Sequence, residues 1–177
     1  MPSGRIKNSD LHFYLHVCFF KLRDFLFPRA DTLKEAQIKS GFHVLDYGCG
    51  PGSYILSLAQ IVGDTGKVYA VDIHPLAVKK INAIISKRRL KNVESICSDC
   101  KTGLPDNSID VVLLYDALHA LNNSNKVLEE LHRVLKPGGI LSLRDHRMRA
   151  DEIVNKITKN AYFQFLKKSK KTYTFRK

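Results

Sequence analysis

The stretch His43-Val-Leu-Asp-Tyr-Gly-Cys-Gly-Pro-Gly52 constrains this chain more than any other part of it. Val44 and Leu45 read as a buried strand. The glycines at 48, 50 and 52 then let the backbone turn sharply and approach a ligand without a Cβ in the way. An apolar helix over Ser53–Val62 follows, so the N–H groups of its first turn point to the same place. Twenty residues past Gly52 a second strand ends in Asp72, where a carboxylate can accept from both hydroxyls of a ribose. Strand, glycine turn, helix, strand and acid together describe a nucleoside-binding crevice.

The spacing is G-x-G-x-G, not the G-x-G-x-x-G of dinucleotide sites. Asp46 just ahead of the turn would repel a pyrophosphate and favour an ammonium. A ligand with an adenosine end and an amino-acid end satisfies both carboxylates. Plainer roles stay open beside these: Asp46 as a turn former, Asp72 as a cap for the next helix.

Strands and helices alternate through the rest of the chain. Residues 10–27 read as a helix, apolar on most faces and stopped by Pro28, and Thr32–Lys39 as a second, short one closed by Gly41. Strands are expected at His43–Tyr47, Lys67–Val71, Val93–Cys97, Ile109–Leu114 and Ile140–Leu143, with helices at Pro75–Lys87, Lys126–Leu135 and Ala150–Asn160. Pro137-Gly-Gly139 is read as a helix stop without chemistry. Tyr162–Leu166 and Thr172–Phe175, separated by Lys167-Lys-Ser-Lys-Lys171, read as an antiparallel hairpin. The pattern predicts an α/β sandwich, parallel except at one edge.

Composition excludes several classes. A chain of 177 residues with 44% hydrophobic and 26% charged residues suits one globular domain. No apolar run approaches the ~18 residues of a membrane-spanning helix. Leu11–Phe20, interrupted by His12 and His16, lacks a small-residue cleavage site, and four cysteines at 18, 49, 97 and 100 do not make a disulfide framework. Reduced thiols and a cytoplasmic protein are expected. Cys97 and Cys100 form one C-x-x-C with no second pair to complete a zinc site, so no metal is expected. The net charge is +12, and half of it lies in residues 151–177, where eight Lys or Arg face only Asp151 and Glu152. Such a patch suits nucleic acid, acidic lipid headgroups or an anionic substrate, or is a solvated hairpin.

The sequence resembles the class I S-adenosylmethionine (SAM) dependent methyltransferases. Within them it is nearest the small-molecule branch that includes ubiquinone/menaquinone C-methyltransferases and arsenite methyltransferase-like proteins. The matching residues are Val44-Leu-Asp-Tyr-Gly-Cys-Gly-Pro-Gly52, Val71-Asp-Ile73, Cys97-Ser-Asp-Cys100, Leu104-Pro-Asp-Asn-Ser-Ile-Asp-Val111 and Arg133-Val-Leu-Lys-Pro-Gly-Gly139, spanning roughly residues 35–145. The resemblance implies a Rossmann-like three-layer sandwich whose seven strands run 3-2-1-4-5-7-6, strand seven antiparallel. It implies SAM as cofactor and S-adenosylhomocysteine as product. Asp46, Gly48, Cys49, Gly50 and Gly52 would surround the methionine portion, and Asp72 would bind the ribose with Ile73 on the adenine. Asp99, otherwise a solvated loop acid, and the Cys100 backbone would meet the adenine edge, and Tyr115 would lie near the methionine amine. Residues 1–40 would form a helical lid on a methyltransferase domain of residues 41–177.

A sulfonium methyl is already activated, so the protein mainly has to align the acceptor and exclude water. If the acceptor must lose a proton, Asp116, His119 and His146 are the candidate bases, because they follow strands four and five. Each has a packing or capping role as its alternative. His12, Phe13, Tyr14, His16, Phe19 and Phe20 suit a lid over an apolar acceptor. The expected reaction is methyl transfer to a small molecule. RNA methylation through the basic hairpin and a non-catalytic SAM-binding subunit are the alternatives, and a homodimer is compatible with either. No Asn-Pro-Pro-Tyr or Asp-Pro-Pro-Tyr follows strand four, and an arsenic-binding cysteine set is not evident, which argues against DNA amino groups and arsenite as acceptors.

Overall fold

The computed structural model describes residues 30–177. The helix expected over residues 10–27 and its aromatic side chains lie outside these residues. The element order is α1 (Ala30–Glu35), β1 (His43–Tyr47), α2 (Ile55–Val62), β2 (Lys67–Asp72), α3 (Pro75–Arg88), β3 (Val93–Cys97), β4 (Ile109–Tyr115), α4 (Ser124–Val134), β5 (Leu135–Arg144), α5 (Ala150–Thr158), β6 (Gln164–Lys168) and β7 (Tyr173–Arg176). The seven strands form one sheet in the order β3-β2-β1-β4-β5-β7-β6. β1 pairs in parallel with β2 and β4, and β7 runs antiparallel to both β5 and β6. This is the three-layer architecture and strand order that the resemblance implies.

Alternation along β4 shows why both faces are covered. Val112 and Leu114 join a core with Leu128 and Leu131 of α4 and Ile153 and Ile157 of α5. Val111, Leu113 and Tyr115 point the other way, into a core with Ile55 and Leu58 of α2 and Ile81 of α3. Successive strand residues face opposite sides, so an uninterrupted apolar strand requires helices on both. Helix α2 meets that demand with Ile55, Leu58, Ala59 and Val62 buried at helical spacing, and it stops at Gly63. Helix α3 starts with Pro75, behind an N-cap at His74 whose ring accepts from the Leu76 N–H at 3.2 Å.

The structure moves several element boundaries. α1 covers Ala30–Glu35, not Thr32–Lys39, because Gln37 takes a left-handed φ of 58° and ends the helix early. α2 begins at Ile55, two residues later than expected, since Gly52 to Tyr54 still belong to the turn. α4 runs from Ser124 to Val134, and α5 ends at Thr158, whose hydroxyl donates back to the Val154 carbonyl at 2.8 Å.

The larger correction is β5, expected to start at Ile140 and found to start at Leu135. Leu135 pairs with Ile109, and Ile140 then pairs with Val111, so Lys136–Gly139 bulge out of the ladder while the strand continues. The end of the chain closes that bulge: Gly138 N–H donates to Lys177 O and Lys177 N–H to Gly139 O. In the hairpin, Lys167 and Lys168 belong to β6 rather than to the turn. Phe163 and Tyr162 instead pack around His132, with ring centroids 5.9 and 5.2 Å from it.

Candidate active site

The order of the sheet reverses between β1 and β4, and in such sheets a crevice opens at the carboxyl ends of the strands on either side of that reversal. The glycine loop leaves β1 at this point. Gly48 and Cys49 N–H groups donate to the Val71 carbonyl at 2.8 and 3.0 Å, which pins the loop against β2. Asp72 completes the attachment: one carboxylate oxygen accepts from Gly50 N–H and the other from His74 N–H, both at 2.8 Å. Asp72 is therefore a brace for the loop, while His74, not Asp72, caps α3. Each Asp72 oxygen keeps acceptor capacity for a further donor such as a hydroxyl.

Two glycines of the loop do different work. Gly52, at φ +88°, sits where a Cβ would meet the Ile81 Cδ1 at 2.5 Å, so its role is packing. Gly50, at φ +53°, has nothing within 4 Å of the place its Cβ would take. The loop thus presents its backbone at Gly50 to open space.

Asp46 is the electrostatic centre of the crevice. It is 2% exposed, and its Oδ2 has no hydrogen-bond partner among the described residues. Burial, and secondarily the charge of Asp72, pushes its carboxyl up to about 7. A buried acid with an unmatched oxygen is a site that a cation would stabilise. The same environment, burial first and then Asp46 and Asp72, holds the Cys49 thiol well above its ordinary value, which disfavours the reactive thiolate.

The residues expected on the adenine side lie as follows. Ile73, just past β2, is 66% exposed, a large apolar surface next to Asp72. Asp99 is exposed, and its carbonyl accepts from the Tyr47 hydroxyl at 3.1 Å. Cys100 N–H already donates to Ser98 Oγ at 3.3 Å. Tyr115 is buried edge-on against Tyr54, with centroids 5.2 Å apart, and its hydroxyl shares a 2.8 Å hydrogen bond with Ser142.

On the opposite rim, β4 and β5 end in two crossed pairs. His119 Nδ1 lies 2.9 Å from Asp145, whose side chain is wholly buried, and His119 N–H donates to the same carboxylate at 3.0 Å. Asp116 accepts from Arg144 at 2.7 Å and lies 2.8 Å from His146 Nδ1. Burial would raise the Asp116 carboxyl, but the hydrogen bonds from His146 and Arg144 outweigh it and hold it below its ordinary value. Asp116 also takes a left-handed φ of 56°, a conformation uncommon outside glycine. Asp116, Asp145 and His146 offer ligand atoms within 4.8 Å of one another. Arg144 and His119 also partner the two carboxylates, which ties the group into one polar network.

Sequence reasoning found Asp116, His119 and His146 but missed Asp145 and Arg144. Asp145 stands one residue before His146 at the end of a parallel strand, and that placement was the available signal. Nothing in the sequence announced Tyr54 or Ser142, both of which contact Tyr115.

The donor set fits the group that the resemblance implies. An unmatched buried carboxylate suits an ammonium, the braced Asp72 a ribose diol, and exposed Ile73 a flat ring.

Comparison with known proteins agrees. The Methyltransferase domain family matches residues 38–176. A demethylmenaquinone methyltransferase of Geobacillus stearothermophilus is 33% identical over 135 residues, which are 76% of this chain and 58% of that protein. A demethylmenaquinone methyltransferase of Listeria monocytogenes is 32% identical over 145 residues, 81% of this chain and 57% of that protein. The chain thus spans a little over half the length of these curated relatives. A crystal structure of a SAM-dependent methyltransferase from Aquifex aeolicus superposes with a TM-score of 0.76 at 32% identity, covering 87% of this chain and 90% of that one.

Proposed function

The chain belongs to the class I SAM-dependent methyltransferase family, and on that premise we propose that it transfers a methyl group from SAM to a small, apolar, aromatic acceptor. The observation that carries the reading is the buried Asp46 oxygen without a partner, beside the open backbone of Gly50. SAM, when bound, supplies a methyl group already activated by the sulfonium charge. Asp46 holds the ammonium, and ligand binding supplies the charge that the empty carboxyl lacks. Asp72 receives the ribose hydroxyls while bracing Gly50, and Ile73, Asp99 and Cys100 border the adenine. Gly48, Cys49 and Gly52 complete the turn around the methionine portion.

The acceptor side rests on the β4–β5 rim. With Nδ1 held by Asp145, His119 keeps Nε2 for a proton from an acidic acceptor such as a phenolic hydroxyl. Asp116 and His146 are bonded to each other, which makes them supports of the rim before they are bases. The names of the relatives favour an acceptor of the demethylmenaquinone kind. Residues 1–40 serve in this reading as the lid of the crevice.

Calorimetry with SAM, S-adenosylhomocysteine and NAD tests the cofactor. Micromolar binding of the first two and none of NAD is expected, and Asp46→Asn should remove it. Tight NAD binding without a SAM signal overturns the reading. Turnover of demethylmenaquinol tests the acceptor, and SAM binding without turnover on any acceptor points to a partner-dependent subunit instead.

A further inference from the structure

We propose that the tip of the β6–β7 hairpin docks this protein on an anionic phospholipid surface, with the crevice rim turned toward that surface. Residues 153–177 contain seven lysines and one arginine without a single acid. Four of those lysines, Lys167, Lys168, Lys170 and Lys171, fall within five consecutive residues at the tip. Lys167, Lys168 and Lys170 are exposed. Lys171 is more enclosed: its N–H donates to Glu35, and its ammonium lies 4.0 Å from Asp31. Those two contacts seat the tip against α1 and leave the other three lysines exposed, Lys168 with its ammonium 5.4 Å from the Tyr173 ring centroid.

The tip also carries apolar surface. Phe165 and Leu166 are each 36% exposed on a strand whose residues are all exposed. The register shifts at this point, so that Phe165 pairs with Phe175 and Lys167 with Thr174, which leaves Leu166 as the extra residue of a bulge. Cations beside a leucine and a phenylalanine match an interface where headgroups are charged and the layer beneath is apolar.

Sheet register places this tip on the functional edge. Leu143 of β5 pairs with Tyr173, and Tyr173 pairs with Lys168. Lys168 is thus two strand spacings, about 10 Å, from the point where β5 runs on into Asp145 and His146. Exposed Arg147 extends the same rim. Arrival at a membrane by this tip brings the ends of β4 and β5 to the lipid.

Lipid is favoured over nucleic acid by the composition of the patch. Lysines act as point charges and outnumber arginine seven to one, whereas planar, two-pronged recognition of bases and phosphates relies on arginine. Leu166, with no aromatic ring to stack on a base, suits an acyl boundary better than a nucleobase, whereas Phe165 suits either.

The test is sedimentation of the full chain with vesicles of phosphatidylcholine alone and of phosphatidylcholine mixed with phosphatidylglycerol. Binding is expected only to the mixed vesicles, and it should weaken as salt rises. The variant carrying Lys167→Glu, Lys168→Glu and Lys170→Glu should lose at least ~100-fold in vesicle partitioning, with thermal midpoint and SAM affinity unchanged. Leu166→Ser should lose ~5-fold and keep the salt dependence. The wild-type comparison of the two vesicles decides the matter even where a variant fails to fold. Equal binding to both vesicles, binding to neither, or single-stranded RNA stripping the protein from vesicles at equal phosphate concentration overturns the proposal. Docking does not rest on the acceptor reading: a failed vesicle assay leaves methyl transfer intact, and absent turnover leaves docking intact.

Discussion

Two buried carboxylates in this molecule have opposite environments. Glu130 on α4 is 7% exposed and accepts from the N–H and the hydroxyl of Thr102, each at 2.7 Å, and from Arg133 at 2.8 and 2.9 Å. Burial alone would raise its carboxyl, but Arg133 and Thr102 reverse that and hold it at about 2. Asp46 is at least as buried, has one oxygen unmatched, and sits at about 7. A charge whose donors all come from the chain belongs to the fold. A charge left short of donors beside a backbone cradle is what the proposed ligand would match. The difference separates the knot that ties the β3–β4 loop to α4 from the crevice.

The contrast is most severely tested by removing Glu130. Glu130→Ala leaves the Thr102 N–H and Arg133 Nε without their acceptor, although Arg133 keeps Asp106 and the Leu104 carbonyl, and should cost about 3 kcal/mol of unfolding free energy, read by urea denaturation, with SAM affinity changed less than twofold. Because the folded Glu130 carboxyl lies below its unfolded value, its contribution is present above pH ~4.5 and disappears as pH falls toward 2. The variant should therefore lack that acid-side decline. A loss of SAM binding equal to the loss of stability would erase the distinction drawn here.

Asp46→Asn comes next. It should weaken SAM at least ~100-fold by calorimetry while raising the thermal midpoint of the empty protein at pH 8. The folded Asp46 carboxyl keeps its proton to about 7, well above where the unfolded chain loses it, so the empty protein loses stability from Asp46 as pH rises from ~4 to 7. The gain in midpoint should accordingly vanish by pH 4, and wild-type SAM affinity should climb as pH passes through 7. A variant less stable than wild type at pH 8 would show that Asp46 is already satisfied.

Asp145→Asn addresses the rim. Turnover should fall ~10- to 100-fold, with a displaced pH–rate profile and unchanged SAM affinity, since Asp145 acts by orienting His119. A change in stability alone, without movement of the profile, would make the pair structural. The smallest effect belongs to Gly50→Ala. Its φ of +53° costs an alanine about 1 kcal/mol, and no neighbour obstructs the methyl group. SAM affinity should drop because the methyl occupies the cradle, whereas Gly52→Ala, which meets Ile81, should show its loss mainly in stability.

Most of the fold was legible because its signals are short-range. Val44 to Gly52 is a strand running into a turn, and hydrophobic periodicity marked α2 and α3 to within two residues. The misread stretches share one cause. Pro137-Gly-Gly139 breaks a helix in any local reading, but the Lys177 backbone pairs with Gly138 and Gly139 and keeps the segment in the sheet as a bulge. Lys167 and Lys168 look like a turn in sequence, yet an exposed edge strand accepts them, and Lys168 rests 5.4 Å from the Tyr173 ring centroid.

The sequence by itself determined the glycine turn, the two acids at the ends of the first two strands and the order in which strands and helices follow. Those features depend on backbone sterics and side-chain spacing within a few residues. Only the tertiary structure decided that Asp46 would be left short of a partner, that Asp145 would hold His119 from 26 positions away, and that a lysine-rich tip would stand on the rim of the crevice. Each of these rests on the register between strands distant in sequence, where a shift of one residue turns every side chain to the other face.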